Sequence, residues 1–123
     1  MILTKEVTKQ NFYKTYYKAI NGILELTNKQ MEVLAEFSYI RDSLPDTFTD
    51  AQKDEYTFST STRNIICEKL GITIFNLNNL IKELKEKGFL ISETKKKYKI
   101  NPYLFTRIKN KEQVEFKFIF NIK

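Results

Sequence analysis

The sequence predicts an α+β fold, in which helices fill most of the chain and a β-hairpin follows the last helix. Three observations favour this class. Apolar residues recur at spacings of three and four over several stretches, as in amphipathic helices. Two of these stretches are joined by only three residues, Gly71 to Thr73. After Gly88, apolar residues alternate with others on either side of the sequence TKKK, which indicates a hairpin.

The length of 123 residues suits one domain with one hydrophobic core. Ten Phe and seven Tyr supply large rings that fill a small core efficiently. We therefore expect a single domain over 1–123, with an N-terminal extension at 1–26, a core at 27–104 and a C-terminal strand extension at 105–123. The apolar stretches are far shorter than the roughly 20 residues of a membrane span, and no secretory signal opens the chain. A cytoplasmic protein without a membrane partner is expected.

A short strand and two helices are predicted in the N-terminal part of the chain. The strand is placed at Ile2 to Val7 and the first helix at Thr8 to Glu25. Thr27 and Gln30 have the spacing of a capping box, so the second helix is expected from about Asn28 to Ser43, before a Leu-Pro pair. The inward faces are assigned to Phe12, Tyr16, Ala19, Ile20 and Ile23 in the first helix and to Met31, Leu34, Phe37 and Ile40 in the second.

The segment from Asp42 to Tyr56 holds four Asp and one Glu and has little apolar periodicity, so we expect an exposed acidic loop. Asp46, Asp50 and Asp54 recur every four residues, which is the wrong spacing for a calcium-binding EF-hand loop. No metal is expected there. Because its charge repels phosphate, the segment is expected to face away from any nucleic acid.

Two further helices, joined by a glycine turn, are predicted after the acidic segment. The first runs from about Thr62 to Leu70 and is capped by Ser61 or Thr60. Gly71 ends it, and Thr73 caps a helix from about Ile74 to Lys87. Such a short connection suits two helices that cross steeply, as in a helix-turn-helix. The predicted core residues are Ile65, Ile66, Cys67 and Leu70 in the first helix, Ile72 at the turn, and Leu77, Leu80, Ile81 and Leu84 in the second.

The exposed face of the second of these helices and the hairpin after it are the candidate binding surface. The helix presents Phe75 and amide and basic side chains, and an asparagine can both donate to and accept from the N7 and N6 edge of adenine. Residues 59–111 carry twelve Lys and Arg against four Asp and Glu, a formal charge of +8, as a polyanion partner requires. The candidate residues are Phe75, Asn76, Asn78, Asn79, Lys82 and Lys85 on the helix and Lys95, Lys96 and Lys97 at the hairpin tip.

From Leu70 to Ile100 the chain resembles the winged helix-turn-helix superfamily, through LGI at the turn and LIKELKEKGFLI from the second helix into the hairpin. With YKINPYLF after the hairpin, it is also similar to the winged-helix replication initiators of small plasmids and phages. The resemblance implies a winged helix-turn-helix with an added N-terminal helix and a C-terminal β-strand. It also implies that Thr73 caps the second helix and reaches a phosphate, and that Phe75, Asn76, Asn78, Asn79 and Lys82 face the DNA groove.

The first turn of this helix departs from the superfamily, because Ile74 and Phe75 stand where many members carry Ser, Arg or Gln, and the helix has no Arg. Two explanations are open. Phe75 packs on thymine methyl groups beside an asparagine-based readout, or the start of the helix contacts another protein.

The C-terminal sequence VEFKFIFNIK alternates apolar and other residues from Val114 to Ile122, which predicts a long strand. A long apolar edge must be covered, either by the N-terminal strand or by the same strand of a second copy. We expect a homodimer, since helix-turn-helix proteins often bind two half-sites.

Three functions follow from these patterns, in decreasing order of support. The first is sequence-specific binding of double-stranded DNA, as a transcriptional regulator or a replication-origin binder of a phage or plasmid in a bacterial host. The second is a protein-interaction or virion-associated module that uses the winged helix as a scaffold. An enzyme is the third and is not expected. The chain has no His, which excludes Ser-His-Asp triads, Cys-His dyads and His-based zinc sites, so no catalytic residue and no cofactor are predicted.

Overall fold

The structure is a computed structural model that describes residues 6–94, 97–102, 107–108, 114–115 and 122. In this part of the chain, five helices are followed by two short antiparallel pairs of strands. In chain order the elements are α1 (Phe12–Leu24), α2 (Asn28–Asp42), α3 (Asp50–Thr57), α4 (Thr60–Leu70), α5 (Ile74–Glu86), β1 (Leu90–Thr94), β2 (Lys97–Ile100), β3 (Arg107–Ile108) and β4 (Val114–Glu115).

The predicted α+β class is confirmed, with a winged-helix-like order of helices and hairpin. Strands β1 and β2 form the hairpin, which we call the wing. Leu90 pairs with Ile100 at its base, and both side chains are buried in the core. The register is irregular between Ser92 and Thr94, before the tip.

Helix α2 packs against α1, α3 and α5, while α5 also packs against α4 and β1. The side chains at the centre of the core come from helices and hairpin alike, so the wing and α5 share one hydrophobic core. The largest fully buried residues are Tyr17, Phe37, Leu34, Ile66, Leu77, Leu84, Leu90, Ile100 and Val33. Helix positions predicted for α2 hold, because Leu34 and Phe37 are buried and Met31 and Ile40 pack against the core.

The buried face of α1 differs from the predicted one. Ala19 and Ile23 are exposed, whereas Tyr13 and Tyr17 are buried beside the expected Tyr16 and Ile20. The buried set has the spacing i, i+3, i+4, i+7, and it puts four large side chains on one face. The observed face, with three Tyr rings and one Ile, buries more apolar surface than the predicted face, which includes the small Ala19. The helix is therefore rotated so that the observed face packs against the core.

The Tyr17 phenol on this face has a buried polar partner. The hydroxyl groups of Tyr17 and Ser38 are 2.8 Å apart, so α1 and α2 share a buried hydrogen bond. Burial raises the pKa of the Tyr13 and Tyr17 phenols above the usual range.

Asn21, near the end of α1, holds the turn that follows the helix: its side chain accepts from the Leu26 amide (2.7 Å) and donates to the Leu26 carbonyl (3.0 Å).

The expected acidic loop is wrong, because half of it forms helix α3. Thr49 and Gln52 make a capping box at its start, as the predicted Thr27 and Gln30 pair does for α2. Arg41, at the end of α2, donates to Asp54 (2.8 Å) and Asp50 (3.3 Å). Asp50 and Asp54 therefore lie on one face of α3 and are held by an arginine, whereas Asp46 lies in the turn before the helix.

Helix α4 begins earlier than predicted and buries a partly different set of residues: Ile66 is buried as predicted, and Cys67 and Leu70 pack against the core. Ser59 caps it by accepting from the Thr62 amide, so neither Ser61 nor Thr60 is the cap. The buried residues are Thr62 and Ile66, whereas Ile65 is 56% exposed. Thr62 takes an inward position because its hydroxyl donates to the Tyr56 carbonyl (2.8 Å), which satisfies a buried polar group.

The turn between α4 and α5 is confirmed in its predicted form. Gly71 has a φ of 66°, the left-handed conformation that favours glycine, and the Ile72 amide donates to the Cys67 carbonyl (3.0 Å). The Thr73 hydroxyl then accepts from the Asn76 amide (3.1 Å) and caps α5. Cys67 and Ile72 are half-buried against the core.

Two predicted strands lie largely outside the described residues. Of the strand at 2–7, only residues 6 and 7 are described, and they are not in a strand. Of the strand at 114–122, Val114 and Glu115 form β4, and β4 pairs with β3 of the same chain. Strand β3 was not predicted. Within the described ranges, no helix has the length and apolar character needed to span a membrane.

Replacing Gly71 by Ala should destabilise the fold through backbone strain alone. An added Cβ at Gly71 meets nothing within 4 Å, but its φ of 66° is unfavourable for Ala, and we expect a loss of about 1 kcal/mol in the free energy of unfolding. Gly22, in α1, is the matched control. It also has open space and lacks a positive φ, so Gly22→Ala should stabilise by about 0.5 kcal/mol. Urea unfolding monitored by circular dichroism measures both, and equal signs would contradict this account.

Candidate nucleic-acid interface

Helix α5 is fixed to the rest of the molecule by an apolar face and a polar clamp. Leu77, Ile81 and Leu84 are buried, and Leu80 packs beside them. On the flank toward α2, the buried amide of Gln30 donates to Glu83 (3.1 Å). These contacts fix which residues of α5 face outward.

The carbonyl oxygen of Gln30 completes this clamp. It accepts from the Thr27 backbone amide (3.0 Å), which closes the α2 capping box, and from the Lys87 ammonium group (2.9 Å). Gln30 is only 4% exposed, yet both ends of its amide are bonded. One buried side chain therefore caps α2 and binds the last turn of α5.

The end of α5 is connected rigidly to the base of the wing. Gly88 has a φ of 85°, and its amide donates to the Lys85 carbonyl while the Phe89 amide donates to the Leu84 carbonyl, which is a Schellman motif. Asn101 then donates from its side chain to the Gly88 carbonyl (2.9 Å) and from its backbone to the Phe89 carbonyl (2.9 Å). The asparagine of the Ile-Asn-Pro segment thus fastens the far strand of the wing to the helix end.

The outward face of α5 is a stripe formed by Phe75, Asn79 and Lys82, at positions i, i+4 and i+7. All three are exposed, and Phe75 is 70% exposed. Within the described part of the chain, Asn79 and Lys82 make no side-chain hydrogen bond or ion pair. The stripe continues to exposed Glu86, whose charge repels phosphate. Only the part of the stripe before Glu86 therefore suits contact with a nucleic acid.

Asn76 and Asn78 are both exposed, as predicted, but they lie on opposite flanks of this stripe. Residues two apart on an α-helix are separated by about 200° around the axis, because the helix has 3.6 residues per turn. Asn76 shares its flank with Glu83, which contacts α2. Asn78 is on the other flank and contacts α4. The three asparagines therefore do not form one row.

Arg63 of α4 was not among the predicted site residues. Its Nε donates to the Phe58 carbonyl (3.1 Å), and its terminal nitrogen donates to Oδ1 of Asn78 (3.1 Å). The same guanidinium lies 5.8 Å from the centre of the Tyr98 ring in β2. Arg63 therefore contacts both α5 and the wing, and it places the Asn78 flank beside β2.

The wing presents its charges on one side of β2. Tyr98 and Ile100 face the core, so the alternation of a strand puts Lys97 and Lys99 on the outer face. Lys97 is exposed and Lys99 is half-buried. The predicted tip residues Lys95 and Lys96 lie outside the described residues, so the tip prediction rests on the sequence.

The shallow groove outside this interface has different chemistry. It encloses about 590 Å³ and is lined by Thr47, Phe48, Gln52, Glu55, Tyr56 and Ser59. Two aromatic side chains, an acidic residue and no basic residue line it. Such a lining does not suit a phosphate backbone.

Comparison with known proteins gives one match. The family described as Firmicute plasmid replication protein (RepL) matches residues 1–121, which is nearly the whole chain, and the chain belongs to this family. No curated protein and no solved structure matches it.

Proposed function

We propose that this member of the Firmicute plasmid replication protein family binds double-stranded DNA at a plasmid replication origin through α5 and the wing. The observation that carries the proposal is the exposed stripe Phe75, Asn79 and Lys82 on α5, with Arg63 contacting both Asn78 on the flank of this stripe and Tyr98 of β2 in the wing. Both lie in the segment 59–111 with its formal charge of +8. Family membership favours origin binding over transcription regulation, which the sequence had left open.

The two parts of the surface would contribute different terms to binding. Lys82 and the wing lysines neutralise phosphates and release counterions, which gives affinity that depends on salt but not on sequence. Asn76, Asn78 and Asn79 can reach base edges in the major groove, whose width of about 12 Å admits an α-helix. Thr73 caps α5, and its place at the first turn suits a contact with phosphate.

The exposed Phe75 keeps a second function in consideration. With Ile74, which is also exposed, it forms an apolar start of α5. In a DNA complex Phe75 would pack on thymine methyl groups, whereas in a protein-interaction module it would anchor a partner. The second function predicts that wild-type protein shows no salt-dependent binding to duplex DNA.

The proposed activity is binding rather than catalysis, and it takes place in the bacterial cytoplasm with the plasmid. The absence of His from the sequence removes the usual general base, so we propose no catalytic residue and no cofactor. A homodimer on two half-sites remains part of the proposal.

Replacing Lys97 by Glu should weaken binding to all duplexes and flatten the salt dependence. Loss of one phosphate contact reduces the slope of log K against log salt by about one. Lys18→Glu, on the exposed side of α1, changes the net charge equally and is the control. Fluorescence anisotropy over a salt series measures both. An equal effect of the two variants would show that net charge, and not the wing, governs binding.

Replacing Asn79 by Ala should relax base preference more than it lowers bulk affinity. Loss of a base contact costs about 1–3 kcal/mol at one base pair and leaves the phosphate contacts in place. Selection of bound sites from a random duplex pool gives the wild-type site, and single-base variants of that site then locate the affected position. Asn28→Ala, at the exposed start of α2, is the control and should leave the selected site unchanged. An unchanged site for Asn79→Ala would remove this residue from the reading surface.

A further inference from the structure

The contact between Arg63 and Asn78 fixes the direction of the Asn78 amide. A guanidinium has five N–H donors and no acceptor, so only the amide oxygen can face it. The 3.1 Å bond from Arg63 to Oδ1 therefore leaves the Nδ2 group pointing away from the arginine. Asn78 is exposed, and its two amide donors are available to a ligand.

The Arg63 guanidinium also has N–H donors that are not bonded to a described residue. Two of its N–H groups bond to the Phe58 carbonyl and to Asn78. Among the described residues, no acceptor is bonded to the other three. The Tyr98 ring lies beside the guanidinium and offers no carbonyl or carboxylate. Arg63 and Asn78 thus present donors only, on the flank of α5 next to the wing.

We propose that Arg63 and Asn78 act as one donor-only unit that selects guanine in the duplex read by α5. Guanine presents two acceptors, O6 and N7, on its major-groove edge, whereas adenine presents an acceptor and a donor. The adenine N6 group would meet donors on both side chains. Asn76 and Asn79 keep both ends of their amides unbonded within the described residues, so they suit adenine instead.

This inference rests on the proposed function, and base-substituted duplexes test it. Starting from the selected site, each G·C pair is replaced by A·T, and affinities are measured for wild type and variants. Wild type should prefer G over A about tenfold at one position. Arg63→Ala should lose this preference and shift toward A there, because the amide oxygen becomes available to the adenine N6 group.

Three further variants separate positioning from other roles. Asn78→Asp keeps an acceptor for Arg63 but has no donor, so it should lose the same guanine preference. It therefore tests the inference even if Arg63→Ala does not fold. Arg63→Lys keeps the charge but lacks the planar fork that bonds Phe58 and Asn78 together, so it should resemble Arg63→Ala in base preference and wild type in salt dependence. The double variant Arg63→Ala with Asn78→Ala should lose no more preference than Asn78→Ala alone.

Two results would overturn the inference, and they are distinguishable. If wild type binds its site but Arg63→Ala weakens all duplexes equally and keeps the preference for G, Arg63 is a general phosphate contact and the guanine unit is wrong. If wild type shows no salt-dependent binding to duplex DNA, the proposed function itself fails. In both cases thermal unfolding of each variant, with a melting temperature near that of wild type, confirms that the proteins compared are folded.

Discussion

The rotation of α5 about its own axis is the constraint on which the rest of the interface depends. Leu77, Ile81 and Leu84 bury one face, and burial of three such side chains is worth several kcal/mol. Burial alone tolerates small rotations, because apolar contacts are not directional. Gln30 adds direction, since its buried amide bonds Glu83 at one end and Lys87 at the other. A rotated helix would leave a buried amide unsatisfied, which is costly.

A fixed helix gives chemically identical side chains different roles. Asn76, Asn78 and Asn79 are the same residue type within four positions, yet one lies toward α2, one toward Arg63 and one on the central stripe. An asparagine whose oxygen is bonded can only donate at its outer end, whereas an asparagine without partners can both donate and accept. The base that each could read is therefore set by its neighbours.

Local signals in the sequence predicted much of the fold. The capping box at Thr27 and the turn at Gly71 need only nearby residues, and both are confirmed. The second capping box, at Thr49 and Gln52, has the same spacing and marks the start of α3, a signal that the acidic composition of the segment obscures. The rotation of α1 was harder, because Tyr17 is buried with its hydroxyl bonded to Ser38, 21 residues away.

The candidate site, like the fold, was predictable from the sequence where it depends on local spacing and not where it depends on tertiary contacts. Exposure of Phe75, Asn79 and Lys82 followed from helical spacing, which is a local property. Arg63 could not be found in this way, because its partners Phe58, Asn78 and Tyr98 come from three elements that only the tertiary fold brings together. A signal was present nonetheless: Arg63 is the only Arg in the segment from Ser59 to Ile100.

An arginine supplied by α4 can also replace one that α5 lacks, and its anchoring makes the replacement effective. A free Arg loses about 2 kcal/mol of side-chain entropy when a ligand orders it. In this structure the Phe58 carbonyl, Asn78 and the Tyr98 ring already hold the guanidinium from three sides, so much of that cost is met on folding. A base contact made by such a side chain would keep more of its interaction energy as affinity. The missing Arg on α5 is therefore no argument against base reading.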